Sequence, residues 1–358
     1  MHLSVTPPRR RSRVRPAENR RIVGLWLLAL AGMVFVMAVL GGLTRLSGSG
    51  LSMVEWQPFN PLPPLTAADW QAMFAKYQAS PQYQLVNSGM TLAGFKGIFW
   101  LEFIHRLWGR LIGVAFLVPF LIFVWQGRLG RADVPRLVVL FVVGALQGAL
   151  GWFMVSSGLS SRPEVSHYRL AAHLLAALAI YGVLLWSALS MLQEPSAAQA
   201  SPSAAAVRRG LLALLALVCL TVSLGGLVAG LHAGMVYNDF PWMNGRVLPA
   251  EAFDLTPVWR NAVDNPVLVQ FEHRLLAIAT WSWALVVGLA GWRLAVTDEA
   301  RAALSLLPLA ATLQAGLGIA TLMLAVPLPL AAAHQAGAFV LFTATVWAIR
   351  IVSRTATQ

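Results

Sequence analysis

Seven histidines and one cysteine are the residues of this 358-residue chain best suited to hold a metal, and the histidines are patterned. Phe103-Ile104-His105-Arg106 is matched by Phe271-Glu272-His273-Arg274. Ala171-Ala172-His173 is matched by Ala332-Ala333-His334. Two imidazoles facing each other across a helical bundle are what axial ligation of a heme iron needs. One ring nitrogen, unprotonated, donates to iron, and the other ring N–H then needs an acceptor. The plainer alternative for any one of them is a polar histidine bonded to a neighbouring helix. Two matched pairs favour ligation by His105, His173, His273 and His334. Cys219 stands alone in an apolar run, so no disulfide framework, CxxC pair or thiolate metal site is available within one chain.

The remaining histidines fit less well. His2 lies in the tail. His167 is six residues before His173, which puts the two on different helix faces. It reads as interfacial, with substitute ligation as the alternative. His232 opens a loop, where solvation is the default and a lid or proton route the alternative. Arg106 and Arg274 follow two of the proposed ligands. A guanidinium there can fork onto a heme propionate or snorkel to the interface. Arg110 and Arg169 are weaker propionate candidates. Glu102 lies three residues before His105, on the same face, and its counterpart is Gln270. An acid in one half and an amide in the other suggest chemistry in the first half alone. A buried carboxylate can shuttle protons; a carboxylate near a helix N-terminus is the bland reading.

The elements that position these residues are spanning helices. Mean hydropathy is +0.68, with 58% hydrophobic and only 11% charged residues. Soluble domains carry about 25% charged residues, so a disordered chain, a coiled coil and an ordinary soluble domain are all excluded. Apolar runs of about 20 residues, the length of one span, fall at 22–43, 101–125, 137–156, 168–192, 210–230, 268–292, 302–326 and 331–352. Residues 66–79 predict a short interfacial helix, and Trp56, Trp70 and Trp100 suit a membrane interface. Gly144, Gly148, Gly151, Gly316 and Gly318 suggest close packing of the third and seventh spans.

Landmarks recur in order between the first four spans and the last four. They include Gly41-Gly42-Leu43 with Gly225-Gly226-Leu227, and the LQGALG and LQAGLG segments at 146–151 and 313–318. The expected fold class is an all-α integral membrane protein, with eight transmembrane helices as two parallel-repeat four-helix bundles. The expected organisation is an Arg-rich cytoplasmic tail at 1–21, an N-terminal half at 22–192, a linker at 193–207, a C-terminal half at 208–352 and a short tail at 353–358.

Charge placement orients the chain. Sixteen of the 26 basic residues fall on one side of an eight-span arrangement, beginning with Arg9, Arg10, Arg11, Arg13, Arg15, Arg20 and Arg21. By the positive-inside rule both termini are cytoplasmic. The net charge of +12 is therefore a topology signal and does not imply nucleic acid. A bacterial cell inner membrane is expected. The alternative takes the Arg- and Ser-containing tail as a mitochondrial transit segment.

The stretches GGLTRLSGSGLSMVEWQP (41–58), YQLVNSGMTLAGFKGIFWLEFIHRLWGR (83–110), SHYRLAAHL (166–174), NAVDNPVLVQFEHR (261–274) and AAAHQAGA (331–338) resemble the heme A synthase family, in its alphaproteobacterial and mitochondrial subtype. The likeness runs from the first span to the eighth. It implies oxidation of the C8 methyl of heme O to a formyl group by successive hydroxylations, giving heme A for terminal oxidase assembly. It implies a cofactor heme b on His273 and His334, substrate heme O on His105 and His173, and an essential Glu102. Heme O synthase or oxidase assembly factors are the implied partners, beside the lipid bilayer and an electron donor the sequence does not name. A related subtype carries paired loop cysteines, which this chain lacks. The competing reading is a diheme b-type cytochrome in quinone-linked electron transfer. It explains four histidines but not the Glu102/Gln270 difference. A transporter or heme chaperone is the third class, and no charged path at mid-membrane supports it.

Overall fold

A computed structural model describes residues 16–59, 62–160, 163–193, 202–295 and 297–356. Arg9, Arg10, Arg11, Arg13, Arg15 and most of the expected linker lie outside them. Among the described residues eight helices are long and apolar enough to cross a membrane. They are α1 (Pro16–Leu46), α4 (Leu92–Trp125), α5 (Asp133–Ser157), α6 (His167–Leu192), α7 (Pro202–Gly230), α9 (Pro266–Leu294), α10 (Asp298–Met323) and α11 (Leu328–Ala356). Three short α-helices, α2 (Ala67–Gln78), α3 (Pro81–Leu85) and α8 (Asn261–Asp264), and three 3-10 turns lie in the two long loops. No strand forms among the described residues beyond a Met243–Arg246 bridge. The chain is an all-helical, multi-pass membrane protein.

The two largest departures from the expected helix starts, at α4 and α7, have identifiable reasons. α4 begins nine residues before position 101. Thr91 caps it by accepting from the Gly94 amide, and Phe95, Phe99 and Phe103 repeat every four residues along one face. That face packs on Trp70, Phe74 and Tyr77. α2 carries a full capping box between Thr66 and Asp69, as a short helix at 66–79 requires. Trp70, however, is buried in this aromatic cluster, not at an open interface.

α7 begins at Pro202, inside the expected linker. Proline is favoured in a first turn, and the Ala204-Ala205-Ala206 run has high helix propensity. Ala204 and Val207 are buried and line a small cleft with Gly291, Ala300 and Leu304. The expected glycine seam also resolves differently. Gly144, Gly148 and Gly316 have nothing near where a Cβ would stand, whereas Gly151 and Gly318 each face a histidine ring.

The main core runs through α1, α6, α7 and α11. α1 packs on α6 and α4, α7 packs on α9 and α11, and the two halves meet along α6–α7, α1–α11 and α6–α11. Gln335 of α11 donates to the Ala38 carbonyl of α1 at 2.6 Å, where Gly42 leaves room for its side chain. Gly226 does the same at the other seam, facing the backbone of Ala171.

Candidate functional site

His105, His173, His273 and His334 come from α4, α6, α9 and α11. Each ring lies against a glycine of another spanning helix. A Cβ on Gly41 of α1 would stand 3.1 Å from His105 Cε1. On Gly151 of α5 it would be 3.0 Å from His173, on Gly225 of α7 3.2 Å from His273, and on Gly318 of α10 2.8 Å from His334. Larger side chains there would displace the rings. None of the four histidines is fully enclosed by protein, so each keeps an open portion.

The rings of His273 and His334 are 6.5 Å apart and perpendicular, at 89°. Two metal–imidazole bonds of about 2.0–2.1 Å each, plus about 1.1 Å from nitrogen to ring centre on each side, require roughly 6.3 Å. One iron between two imidazoles therefore fits this pair. His105 lies within electrostatic reach of His173. No group of three or more His, Cys, Asp or Glu among the described residues forms a metal cluster. The fit to heme rests on the His273–His334 separation and the glycine facing each ring.

The two halves also share hydrogen bonds beside the rings. Gln147 Nε2 is 3.1 Å from His173 Nδ1, and Gln314 Nε2 is 3.1 Å from His334 Nδ1. Among the described residues His105 Nδ1 and His273 Nδ1 are buried without a bonded partner. The Thr221 backbone lies near His273 without completing a hydrogen bond of good geometry.

Residues 24–346 match the model of the COX15-CtaA family, cytochrome oxidase assembly protein. The chain belongs to that family. It is 50% identical to a heme A synthase of Paramagnetospirillum magneticum over 93% of this chain and 94% of the relative. A heme A synthase of Rhodospirillum centenum is 48% identical, over 94% and 90%. One from Nitrosospira multiformis is 47% identical, over 91% and 92%.

Within this member of the family, Glu102 is buried and fully engaged. Ser52 Oγ and the Met53 amide donate to Oε2 at 2.6 and 2.8 Å. Arg106 donates to Oε1 through Nε and a terminal nitrogen. The same guanidinium donates to the carbonyls of Glu55 and Met53 at 2.9 and 2.7 Å. Glu102 and Arg106 together clamp the 47–57 loop onto α4. Arg274 holds the second loop in the same way, through the carbonyls of Tyr237, Asp239 and Trp242, with Gln270 Nε2 on Tyr237 at 3.0 Å. Arg110 donates to the Gln57 and Pro58 carbonyls. Arg169 donates to Phe153 and lies over its ring. The arginines expected to face propionates thus have protein acceptors.

His167 and His232 sit where the halves meet, away from the ligand pairs. Asp264 accepts from Tyr168 at 2.6 Å and from Arg260 at 2.9 Å, and lies 3.1 Å from His167 Nε2. The Tyr168 hydroxyl holds the Asp264 carboxyl below the usual range, against a smaller opposing effect of burial, with Arg260 and His167 adding to the lowering. His232 Nε2 lies 2.9 Å from an Arg45 terminal nitrogen and 3.4 Å from Glu164. Burial pushes its imidazole down, Arg45 adds to this and Glu164 opposes it. Sequence reading missed Gln147 and Gln314 as histidine partners. Their place in the repeated LQ segments was the available signal.

Proposed function

We propose that this chain is a heme A synthase, an oxidoreductase that converts heme O to heme A for terminal oxidase assembly. It works in a bacterial cell inner membrane with both termini cytoplasmic. Substrate heme O is held by His105 and His173, and a cofactor heme b by His273 and His334. The observation that carries the reading is the glycine-fronted histidine pairing, above all the 6.5 Å separation of His273 and His334. Relatives about half identical over nearly the whole chain carry the name heme A synthase.

The reaction oxidises the C8 methyl of heme O, by successive hydroxylations, to a formyl group. A heme b held by His273 and His334 would supply one-electron transfer. The protein's part is binding, orientation and exclusion of water. The four imidazoles would hold the two hemes, and the glycines set how near each ring can come. Glu102 and Arg106 hold the 47–57 loop over the substrate end of α4. Glu102 thereby serves the oxidation, with Ser52 Oγ donating to it at 2.6 Å. Arg106 and Arg274 hold the loop edges through backbone carbonyls and are the residues that would pair with heme propionates. Heme O synthase or an oxidase assembly factor is the proposed protein partner.

The test is extraction and chromatography of hemes from cells that make heme O. Cells with the intact chain should accumulate heme A. Cells with Glu102→Ala should accumulate heme O or a hydroxylated intermediate. An intact chain that makes no heme A but purifies with two hemes b would replace this reading with the diheme electron carrier.

A further inference from the structure

The loop that Arg106 clamps carries Trp56. On one side of it Arg106 donates to the Glu55 carbonyl at 2.9 Å. On the other side Arg110, one turn further along α4, donates to the Gln57 and Pro58 carbonyls at 2.6 and 3.0 Å. The backbone is thus pinned on both sides of Trp56, although the residue itself is half exposed. Anchoring at a membrane interface asks only that the ring sit at headgroup depth; it does not call for a pinned backbone.

The pinned ring reaches across to α5. Trp56 stacks on Trp152, with ring centres 6.0 Å apart and planes 11° from parallel. The Arg106 guanidinium lies 5.7 Å from the centre of a Trp152 ring, within the range of a cation–π contact. Trp152 therefore meets both the clamped loop and the arginine that clamps it. Its surroundings place it at the first histidine pair: Trp152 follows Gly151, which lies against the His173 ring, and Arg106 follows His105. The stack joins α4 and its loop to α5 along a seam where the two helices touch only sparsely. The second half is built differently. Ile319 of α10 stands in the place of Trp152, and α10 packs tightly on α9 without an aromatic bridge at that position.

We propose that Trp56 and Trp152 are positioning residues that retain the substrate heme at the His105–His173 pair between its successive oxidations. The inference rests on the heme A synthase reading and gives the clamped loop its task within it. A two-stage oxidation has an intermediate that is either released or oxidised again, and the ratio of the two rates sets how much escapes. A stack that spans the seam between α4 and α5 slows release and leaves the oxidation itself untouched. A resident heme in the second half has no such need, because that half is closed by helix packing.

The test uses the full chain, as the parent and as Trp152→Ile, Trp56→Ala, the double variant and Trp152→Phe. Hemes extracted from cells that make heme O are separated by chromatography. The purified proteins, loaded with heme O, are followed as it passes to an excess of a heme-scavenging protein. Trp152→Ile and Trp56→Ala should each release heme O about two- to tenfold faster, the worth of one aromatic pair. Both should raise the share of hydroxylated intermediate over heme A. The double variant should match Trp152→Ile, because the two changes break one contact. Trp152→Phe keeps a ring for the stack and should stay near the parent. The content of the heme held by His273 and His334 should be the same in all of them, which reports an intact fold. Parent-like release and an unchanged share of intermediate in both single variants overturn the proposal. So does an equal loss of the second-half heme, which would make the stack a support of the whole fold. A parent that forms no heme A overturns the heme A synthase reading itself, an outcome visible before any variant is compared.

Discussion

The second half of the molecule is closed where the first half is open. α10 packs tightly against both α9 and α11, whereas α5 touches α4 only sparsely. α10 buries Ala300, Ala303, Leu304, Leu307, Ala311 and Thr321, but α5 buries only Leu137 and Leu140. Side chains at matching positions explain the difference. Trp281 of α9 donates to Thr312 of α10 at 3.1 Å. The corresponding residues of α4 and α5 are Gly113 and Ala145, and nothing stands beside Gly113. Gly288 lets Pro308 come close to α9. Its counterpart Phe120 and Pro308's counterpart Phe141 are aromatic, and Phe116 and Phe141 fill the equivalent gap with ring centres 5.4 Å apart. A resident cofactor is served by a closed socket and a substrate that enters and leaves by an opening. The packing thus matches the proposed division of roles.

The glycines against the rings offer the sharpest way to break this comparison. Gly318→Leu should abolish heme binding at the second pair, read as loss of the tightly bound heme from the purified protein. Gly151→Leu should leave that heme in place and abolish heme A formation. If both variants lose the same heme, the halves do not divide the roles as proposed. Trp281→Gly comes next in size. Trp281 is partly buried, so its loss should cost less than the about 3–5 kcal/mol of a fully buried aromatic; the protein should melt at lower temperature and release its heme faster. The reciprocal Gly113→Trp should slow heme A formation while leaving the resident heme bound.

The four histidines were legible because helical spans show as apolar runs and because the repeat places the rings in matched settings. The partners of Arg106 and Arg274 were not. Both arginines end on backbone carbonyls of loops more than thirty residues away in one case and about fifty in the other, and carbonyls leave no mark in a sequence. Gly151 and Gly148 look alike as residues of one helix. Only the rotation of α5 against α6 decides that one meets His173 and the other meets nothing. The start of α4 was misjudged because hydropathy follows the bilayer, while Phe95 and Phe99 continue the helix into an aromatic cluster with α2. The Glu102/Gln270 difference was visible at once. Its setting was not, since the burial of Glu102 depends on a loop that folds back over it.

That difference can be exchanged. Glu102→Gln gives the first half the second half's residue, and an amide can accept from Ser52 and Met53 but loses its ion pair with Arg106. A buried ion pair broken by removing one partner costs about 3–5 kcal/mol; an amide that keeps some hydrogen bonds should cost less. If Glu102 acts by holding the loop, the Gln variant should retain a substantial part of the heme A output that Glu102→Ala loses. An output as low as that of Ala would assign the carboxylate a proton-transfer role beyond the loop. Heme chromatography on the two variants side by side decides between these roles.

The smallest effect is expected where the halves are tied together at Asp264. Tyr168 and His167 of α6 and Arg260 of the second loop all face this carboxylate. Its folded-state pKa lies below the ordinary carboxylate value, chiefly through the Tyr168 hydroxyl. The stabilisation is thus complete above the ordinary value and fades as pH falls through the lowered one. Asp264→Asn should therefore lower thermal stability at neutral pH by about 1.5–3 kcal/mol, the range for hydrogen bonds to a charged group. Parent and variant should converge only as the pH falls below the ordinary aspartate value and through the lowered folded-state one. Because the latch joins the halves without touching either histidine pair, heme content should be equal in the two proteins at every pH where both are folded. A difference in heme content at neutral pH would instead make the seam part of the binding sites.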